Sequence, residues 1–342
     1  MPLSPADVRL IRLLWLGRLG DVLVATPLFA ALRARFPAAR IELVTGERGK
    51  SGAALVGDVD AVRVLRRLSH PLDDLLLAGA LLSERADLLV DLNSAPSRSA
   101  WALAALSRAR RRVAFARGRG DGLFDELVAA PDEREHMLAR YARLAAALDA
   151  PYEPRLRVRL GAQEEASVEP VLRALSMGEG LRVGVFAGNF RKTDNRWPEE
   201  RFVELGRRLL ARGLRPVFLA GPGEQEPVQA IAAAVGGGVP TAGPFPVGTT
   251  AAFLRRLDLL VTNATGTAHL AAAVGTPTFS VLSAYTRTVW MYPAAVQEGL
   301  PDLTRHFSAV SSSWTSCRDV TTDAAWPLLE EALSYAEARR AR

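Results

Sequence analysis

Arg9-Leu10-Ile11-Arg12-Leu13-Leu14-Trp15-Leu16 runs directly into Gly17-Arg18-Leu19-Gly20-Asp21, and Val22–Phe36 continues as an Ala- and Leu-rich stretch closed by Pro37. The short apolar run reads as a strand, the glycine-marked pentapeptide as a turn, and the stretch after it as a helix. The same order returns far downstream. There Leu257–Thr262 leads into Asn263-Ala264-Thr265-Gly266-Thr267-Ala268-His269 and a small-residue helix to Val274. A strand-to-helix junction offers unpaired backbone N–H groups and the positive end of a helix to an anion. The first junction carries a carboxylate and the second a hydroxyl-rich cradle, which predicts a base in one half and a phosphate grip in the other.

Between and beyond these junctions, strand-like and helix-like segments alternate, the pattern of parallel α/β layers. Strands are expected at 40–45, 61–65, 86–92 and 112–115, with helices at 72–84, 97–106 and 133–148. Asp149-Ala150-Pro151-Tyr152-Glu153-Pro154 marks a boundary, and the series restarts at Arg182–Ala187. The expectation is two Rossmann-like domains over 1–160 and 161–325. A helix over 326–342 either packs back on the first domain or touches lipid. Ligands of open parallel sheets bind at the carboxyl ends of the strands, so the working site is expected in a cleft between the domains.

Composition narrows the class. The chain has 342 residues, 49% of them hydrophobic, with a formal net charge of +6. That balance favours acidic partners such as nucleotides, phosphorylated glycans or an anionic membrane face. It does not call for a nucleic acid, and none is expected. Arg108-Ala109-Arg110-Arg111-Arg112 is the densest basic cluster and reads as a solvated helix end or a binding patch. A single cysteine, Cys317, forbids an internal disulfide and fits a reducing, cytoplasmic setting. No metal is expected: His70, His136 and His306 have no partners at ligand spacing, and Asp58-Val59-Asp60 is a weak carboxylate pair.

Gly17-Arg18-Leu19-Gly20-Asp21 lacks the third glycine of a dinucleotide fingerprint, which argues against a nicotinamide-dependent oxidoreductase. Gly17 and Gly20 permit a tight turn. Asp21 is either the helix N-cap or a general base facing the cleft. Ala187–Pro198 is a polar loop with three cations, Arg191, Lys192 and Arg196, suited to a diphosphate leaving group. Glu224, in Gly221-Pro222-Gly223-Glu224, either accepts from ribose hydroxyls or opens a helix. Backbone N–H groups of Gly266, Thr267 and Ala268, with the hydroxyls of Thr265 and Thr267, form a candidate phosphate nest. His269 donates to phosphate or packs as a core histidine.

Several stretches taken together resemble a known family. They are Leu19-Gly20-Asp21-Val22-Leu23 with Thr26-Pro27; Asp91-Leu92-Asn93 through Arg98-Ser99-Ala100; Arg196-Trp197-Pro198-Glu199-Glu200-Arg201-Phe202; and Asn263 through Ala273 followed by Gly275-Thr276-Pro277. In order and spacing they are similar to glycosyltransferase family 9, the lipopolysaccharide heptosyltransferases, from about Arg9 to about Cys317. The resemblance implies the GT-B arrangement and inverting, metal-independent transfer of a sugar from a nucleotide-diphosphate donor, without any cofactor. The donor implied is ADP-heptose, and the acceptor a lipid-linked lipopolysaccharide core at the cytoplasmic face of the inner membrane, with peripheral membrane contact. On this likeness Asp21 is the base, Thr265, Gly266 and Thr267 hold the diphosphate, a nearby cation stabilises it, and Glu224 meets the ribose or base. The chain departs from the family at two points. Ala264 stands where the family commonly has Asp, and Asn195 or Arg196 stands where Lys is usual, with Lys192 earlier. A different donor sugar and a non-catalytic nucleotide-sugar binding protein are the alternatives these departures raise.

Overall fold

The computed structural model describes residues 4–66, 70–175, 177, 180–190, 195–291 and 305–342. The chain divides into two compact units, Met1–Arg159 and Leu160–Arg342. The first holds six parallel strands: β1 (Leu10–Trp15), β2 (Arg40–Gly46), β3 (Ala61–Leu65), β4 (Ala86–Asp91), β5 (Ala109–Phe115) and β6 (Glu126–Val128). Their order is β3-β2-β1-β4-β5-β6. The second holds β7 (Val183–Phe186), β8 (Val217–Leu219), β9 (Thr241–Ala242), β10 (Leu259–Asn263), β11 (Thr278–Leu282) and β12 (His306–Val310), in the order β12-β11-β10-β7-β8-β9. Numbered within each unit, both sheets follow the doubly wound order 3-2-1-4-5-6. Each therefore has a switch point, between β1 and β4 in one unit and between β7 and β10 in the other.

The central strands are near-continuous apolar runs because helices cover both faces of a parallel sheet. Every residue of β1, β10 and β11 is buried. One polar column runs through the first sheet. Arg12 of β1 lies beside Glu42 of β2, fully buried, with its Nε donating at 2.7 Å. Arg63 of β3 pairs with the other carboxylate oxygen. Burial alone would raise the Glu42 carboxyl, but the hydrogen bonds and charges of Arg12 and Arg63 hold it below the usual range.

The first helix differs from the expected single stretch Val22–Phe36. It is α1 (Leu19–Val24) followed by α2 (Thr26–Arg35), joined at Ala25. Pro27 has no N–H for the Leu23 carbonyl, and the Thr26 hydroxyl donates to that carbonyl instead, at 2.6 Å. After β2 comes α3 (Glu47–Ala53), and between β3 and β4 lies α4 (Pro71–Ser83). α5 (Arg98–Leu106) and α6 (Met137–Ala147) complete the first unit. The Arg108–Arg112 cluster is not a helix end. It enters β5, where Arg110 pairs with Asp87 at 3.2 Å and Arg111 with Glu126 on the neighbouring strand.

The second unit adds α7 (Ala162–Ala174), α8 (Glu199–Ala211), α9 (Gln225–Val235), α10 (Val247–Arg255), α11 (Gly266–Val274) and α12 (Ala284–Val289). The tail helix, α13, spans Thr322–Arg340 and starts earlier than expected because Thr321 caps it, its hydroxyl accepting from the Ala324 N–H at 3.1 Å. Its buried face, Ala325, Leu329, Ala332, Leu333 and Ala336, joins the second unit's core against β10, β11, β12 and α8.

Candidate functional site

In the first unit the candidate site lies at the switch point, where β1 ends. Arg18, not Asp21, occupies the N-cap of α1; Asp21 is the third helical residue. Its Oδ2 accepts the Arg18 backbone N–H at 2.6 Å, so the carboxylate folds back over the turn and satisfies one of the donors a helix start leaves unpaired. The side chain is partly exposed. Neither Gly17 nor Gly20 has positive φ. Gly17 is required for space: a Cβ there would lie 2.5 Å from the Asp21 Cβ, 2.9 Å from its Oδ2 and 3.0 Å from the Trp15 ring. Gly20 is a buried residue of α1 itself. α3 presses on the same turn, because a Cβ on Gly49 would lie 2.8 Å from the Gly17 carbonyl, and one on Gly52 2.9 Å from that of Leu19.

Two groups around this turn have no forewarning in the sequence patterns. Tyr141, on α6, is fully buried, with its ring edge-on to Trp15 at 6.3 Å. Burial first, and the Asp21 charge second, push its phenol well above the usual range. On the other side of the switch point, the carboxyl end of β4 carries a buried ion pair. Arg117 donates to Asp91 at 2.8 Å and to the Asn93 carbonyl at 2.9 Å. Asn93 in turn donates to Asp91 at 2.6 Å and to the Leu14 carbonyl at 3.2 Å, tying β4 to β1. Asp91 and Asn93 are legible as a motif; their partner Arg117, in a separate segment, is not.

The second unit has its own switch point, at the ends of β7 and β10. Asn263, the last residue of β10, accepts from the Trp197 N–H at 3.0 Å and donates to the Gly188 carbonyl at 3.2 Å. One side chain thus joins β10, the loop after β7 and the start of α8. Trp197 is fully buried, its indole N–H on the Val320 carbonyl at 2.7 Å and its ring edge-on to Phe202. Arg196, just before it, stacks on Phe190 at 3.7 Å, donates from Nε to the Ala187 carbonyl at 3.3 Å and pairs with Glu199 at 3.1 Å. Its Nη2 is buried and makes no hydrogen bond among the described residues. Lys192 lies outside the described residues.

Glu224 stands at the N-cap position of α9, the helix-start place that one of the two sequence readings gives it. It precedes α9 but its side chain does not cap that helix. Its Oε1 instead accepts the backbone N–H groups of Asn189, at 2.7 Å, and Phe190, at 3.2 Å. Asn189 holds positive φ there, 79°. The Oε2 lies in the space that side chains at Gly188 and Gly221 would fill.

α11 starts at Gly266 with Thr265 as its N-cap. The Ala268 N–H is already taken by the Thr265 carbonyl at 3.2 Å, so the nest shrinks to the amides of Gly266 and Thr267. Thr265, Gly266 and Thr267 are all partly exposed, open to an anion. The Thr265 hydroxyl is 3.3 Å from that of Thr262. His269 is 8% exposed, with the Trp290 ring 6.4 Å away, so it packs on the apolar side of α11. His306 is buried behind it against the Thr278 hydroxyl; burial chiefly, with the charges of Arg287 and His269, pushes its pKa down to about 3.

The chain superposes on solved structures over nearly its whole length. A glycosyl transferase family 9 protein from Veillonella parvula superposes with a TM-score of 0.79 at 17% identity, covering 95% of this chain and 97% of that one. Escherichia coli ADP-heptose lipopolysaccharide heptosyltransferase II gives 0.72 at 18% identity, covering 96% and 99%. E. coli heptosyltransferase WaaC with ADP gives 0.69 at 15% identity, covering 96% and 99%. The fold is thus the GT-B type. No curated protein matches the sequence. The family model for glycosyltransferase family 9 (heptosyltransferase) matches residues 75–299, which takes in the α11 nest, Glu224 and Arg196 but begins after the Gly17–Asp21 turn. By that match, over well more than half its length, the chain belongs to glycosyltransferase family 9.

Proposed function

We propose that this protein is an inverting glycosyltransferase, moving a sugar from a nucleotide-diphosphate donor, ADP-heptose, to a hydroxyl of a lipid-linked core glycan. The observation that carries this is positional. A carboxylate stands at the switch point of one doubly wound unit and an open helix start at the switch point of the other, where such sheets take their ligands. Asp21 removes the acceptor hydroxyl proton. The oxygen forms its bond to the anomeric carbon as the bond from that carbon to the diphosphate breaks, and the nucleoside diphosphate leaves with the electron pair. The charge that develops on the leaving group is met by the Gly266 and Thr267 amides and by a cation, Arg196 or Lys192, without a metal. Glu224 Oε2 accepts from a ribose hydroxyl, its Oε1 being committed to the Asn189 and Phe190 amides. Support for an adenine nucleotide comes from one solved neighbour, E. coli heptosyltransferase WaaC, seen with ADP and with ADP-2-deoxy-2-fluoro heptose.

Thermal shift with ADP, UDP and GDP, followed by turnover of ADP-heptose on a deacylated core acceptor, tests the proposal. Selective stabilisation by ADP and a loss of turnover of about a thousandfold or more in Asp21→Asn are expected. Nucleotide binding in the native chain without turnover of any nucleotide-diphosphate sugar would favour the non-catalytic alternative. Equal turnover in Asp21→Asn would remove that residue from the base role.

A further inference from the structure

α4 has two apolar faces. Leu77 and Leu81 are buried against the sheet side, while Leu72, Leu75 and Leu76 are 68%, 69% and 63% exposed on the opposite side, with Leu82 at 46%. Gly79 continues that outer stripe with open space above it. The spacing of 72, 75, 76, 79 and 82 is one helical face. Four of the eight large exposed hydrophobic side chains among the described residues fall on this one helix. Together they offer roughly 400 Å² of apolar surface, the size of a functional patch.

Charge points to the occupant. Residues 1–159 carry twenty-five Lys and Arg against nineteen Asp and Glu, whereas residues 160–342 carry eighteen of each, so the whole net charge of +6 belongs to the unit that bears α4. Of the acids near the stripe, Asp73 pairs with Arg66 at 3.1 Å, an arginine it shares with Glu47, Asp74 accepts the Arg66 backbone N–H at 2.7 Å, and Glu84 pairs with Arg40 at 2.5 Å. Arg85 follows the helix directly, and the Arg108 N–H donates to the Leu81 carbonyl, placing both at its carboxyl end. Both are exposed and make no ion pair among the described residues, as is true of Arg98 on the adjoining α5. A second copy of the chain is a poor fit, because a stable dimer covers about 800 Å² per partner and brings like charges together.

We propose that the outer face of α4 docks on an anionic phospholipid surface, the leucines entering the headgroup boundary and Arg85, Arg98 and Arg108 meeting lipid phosphates. This stands apart from the transfer chemistry: it needs neither Asp21 nor the α11 nest. The test is co-sedimentation of the full chain with phosphatidylcholine vesicles, with and without phosphatidylglycerol. Leu72→Gln/Leu75→Gln/Leu76→Gln and Arg85→Gln/Arg108→Gln are compared with the native chain, each checked for native melting and for its thermal shift with ADP. The native chain is expected to bind only the phosphatidylglycerol vesicles, in a salt-sensitive way. The triple leucine variant should lose about tenfold or more in partitioning, and the arginine variant should lose the salt-sensitive part. Equal binding by the leucine variant, or failure of the native chain to bind, would overturn the proposal. So would a native dimer in sedimentation velocity that the leucine changes dissociate.

Discussion

Gly17→Ala isolates the geometry of the first turn from its charge. An added Cβ would meet the Asp21 Cβ at 2.5 Å, its Oδ2 at 2.9 Å and the Trp15 ring at 3.0 Å. Carbon atoms rest at about 3.5–4.0 Å, so the Asp21 side chain must retreat by roughly 1 Å. Trp15 gives little, being held edge-on by buried Tyr141. Overpacking of this kind costs about 1–3 kcal/mol, a fall in Tm of about 2–12 °C for a unit of this size. A displacement of about 1 Å in a reacting group can cost about a hundredfold in rate. The expectation is therefore a modest loss of stability with a disproportionate loss of kcat, while the thermal shift with ADP is retained. Gly122→Ala, where a Cβ meets nothing within 4 Å, is the control. Melting curves and nucleoside diphosphate release read the two effects separately. If Gly17→Ala lowers Tm but leaves kcat within about twofold of native, the turn does not place the reacting carboxylate, and the reasoning fails.

Arg117→Met should leave Asp91 charged, buried and unpaired, lowering stability by about 3–5 kcal/mol in chemical denaturation; adding Asp91→Asn should recover part of it. Tyr141→Phe removes a buried hydroxyl that has no hydrogen-bond partner among the described residues, so urea unfolding should show equal or slightly greater stability. The His306 pKa of about 3 has a pH signature. Below about pH 6.5 the unfolded chain takes a proton that the folded chain refuses, so stability falls with pH, by up to about 1.4 kcal/mol per unit, until the folded value is reached. Above pH 6.5 this contribution is flat. Measured between pH 5 and 6.5, where carboxylates contribute little, His306→Gln should flatten the slope.

Apolar runs were legible to within a residue. β2 and β4 begin where the sequence places them, at 40 and 86, and end one residue from its bounds, because a parallel strand covered on both faces is a near-continuous apolar run. Elements that depend on partners were not. β5 begins among arginines because acids on neighbouring strands neutralise them, a pairing that no local pattern encodes. β12, with His306 and Ser308, lacks the apolar run, since its sheet face is completed by α13. The site divides in the same way. Turn backbones at Gly17–Asp21 and Thr265–Thr267 follow from residue types in order, whereas Glu224, Asn263 and Arg117 act through contacts with distant segments. For Glu224 the sequence supplies a carboxylate after glycines but not the two amides it accepts from.

The departures from the family pattern take on physical meaning in this frame. Ala264 packs on an apolar cluster of Ala268, Leu282 and Met291, directly before the open amides of Gly266 and Thr267. A carboxylate at that place would stand beside the same positive helix end and compete for it with a diphosphate. On the proposed function, alanine there would remove that competition and also a hydrogen-bond acceptor from the sugar side. At Arg196, Nε and Nη1 are committed to the Ala187 carbonyl and Glu199, while the buried Nη2 makes no hydrogen bond among the described residues. A planar guanidinium fixed by stacking on Phe190 delivers its N–H in one direction, unlike the rotating ammonium of a lysine. On the proposed function, both changes would favour the grip on the diphosphate over the grip on the sugar, and the choice of donor sugar would then rest on groups other than the residue before Thr265.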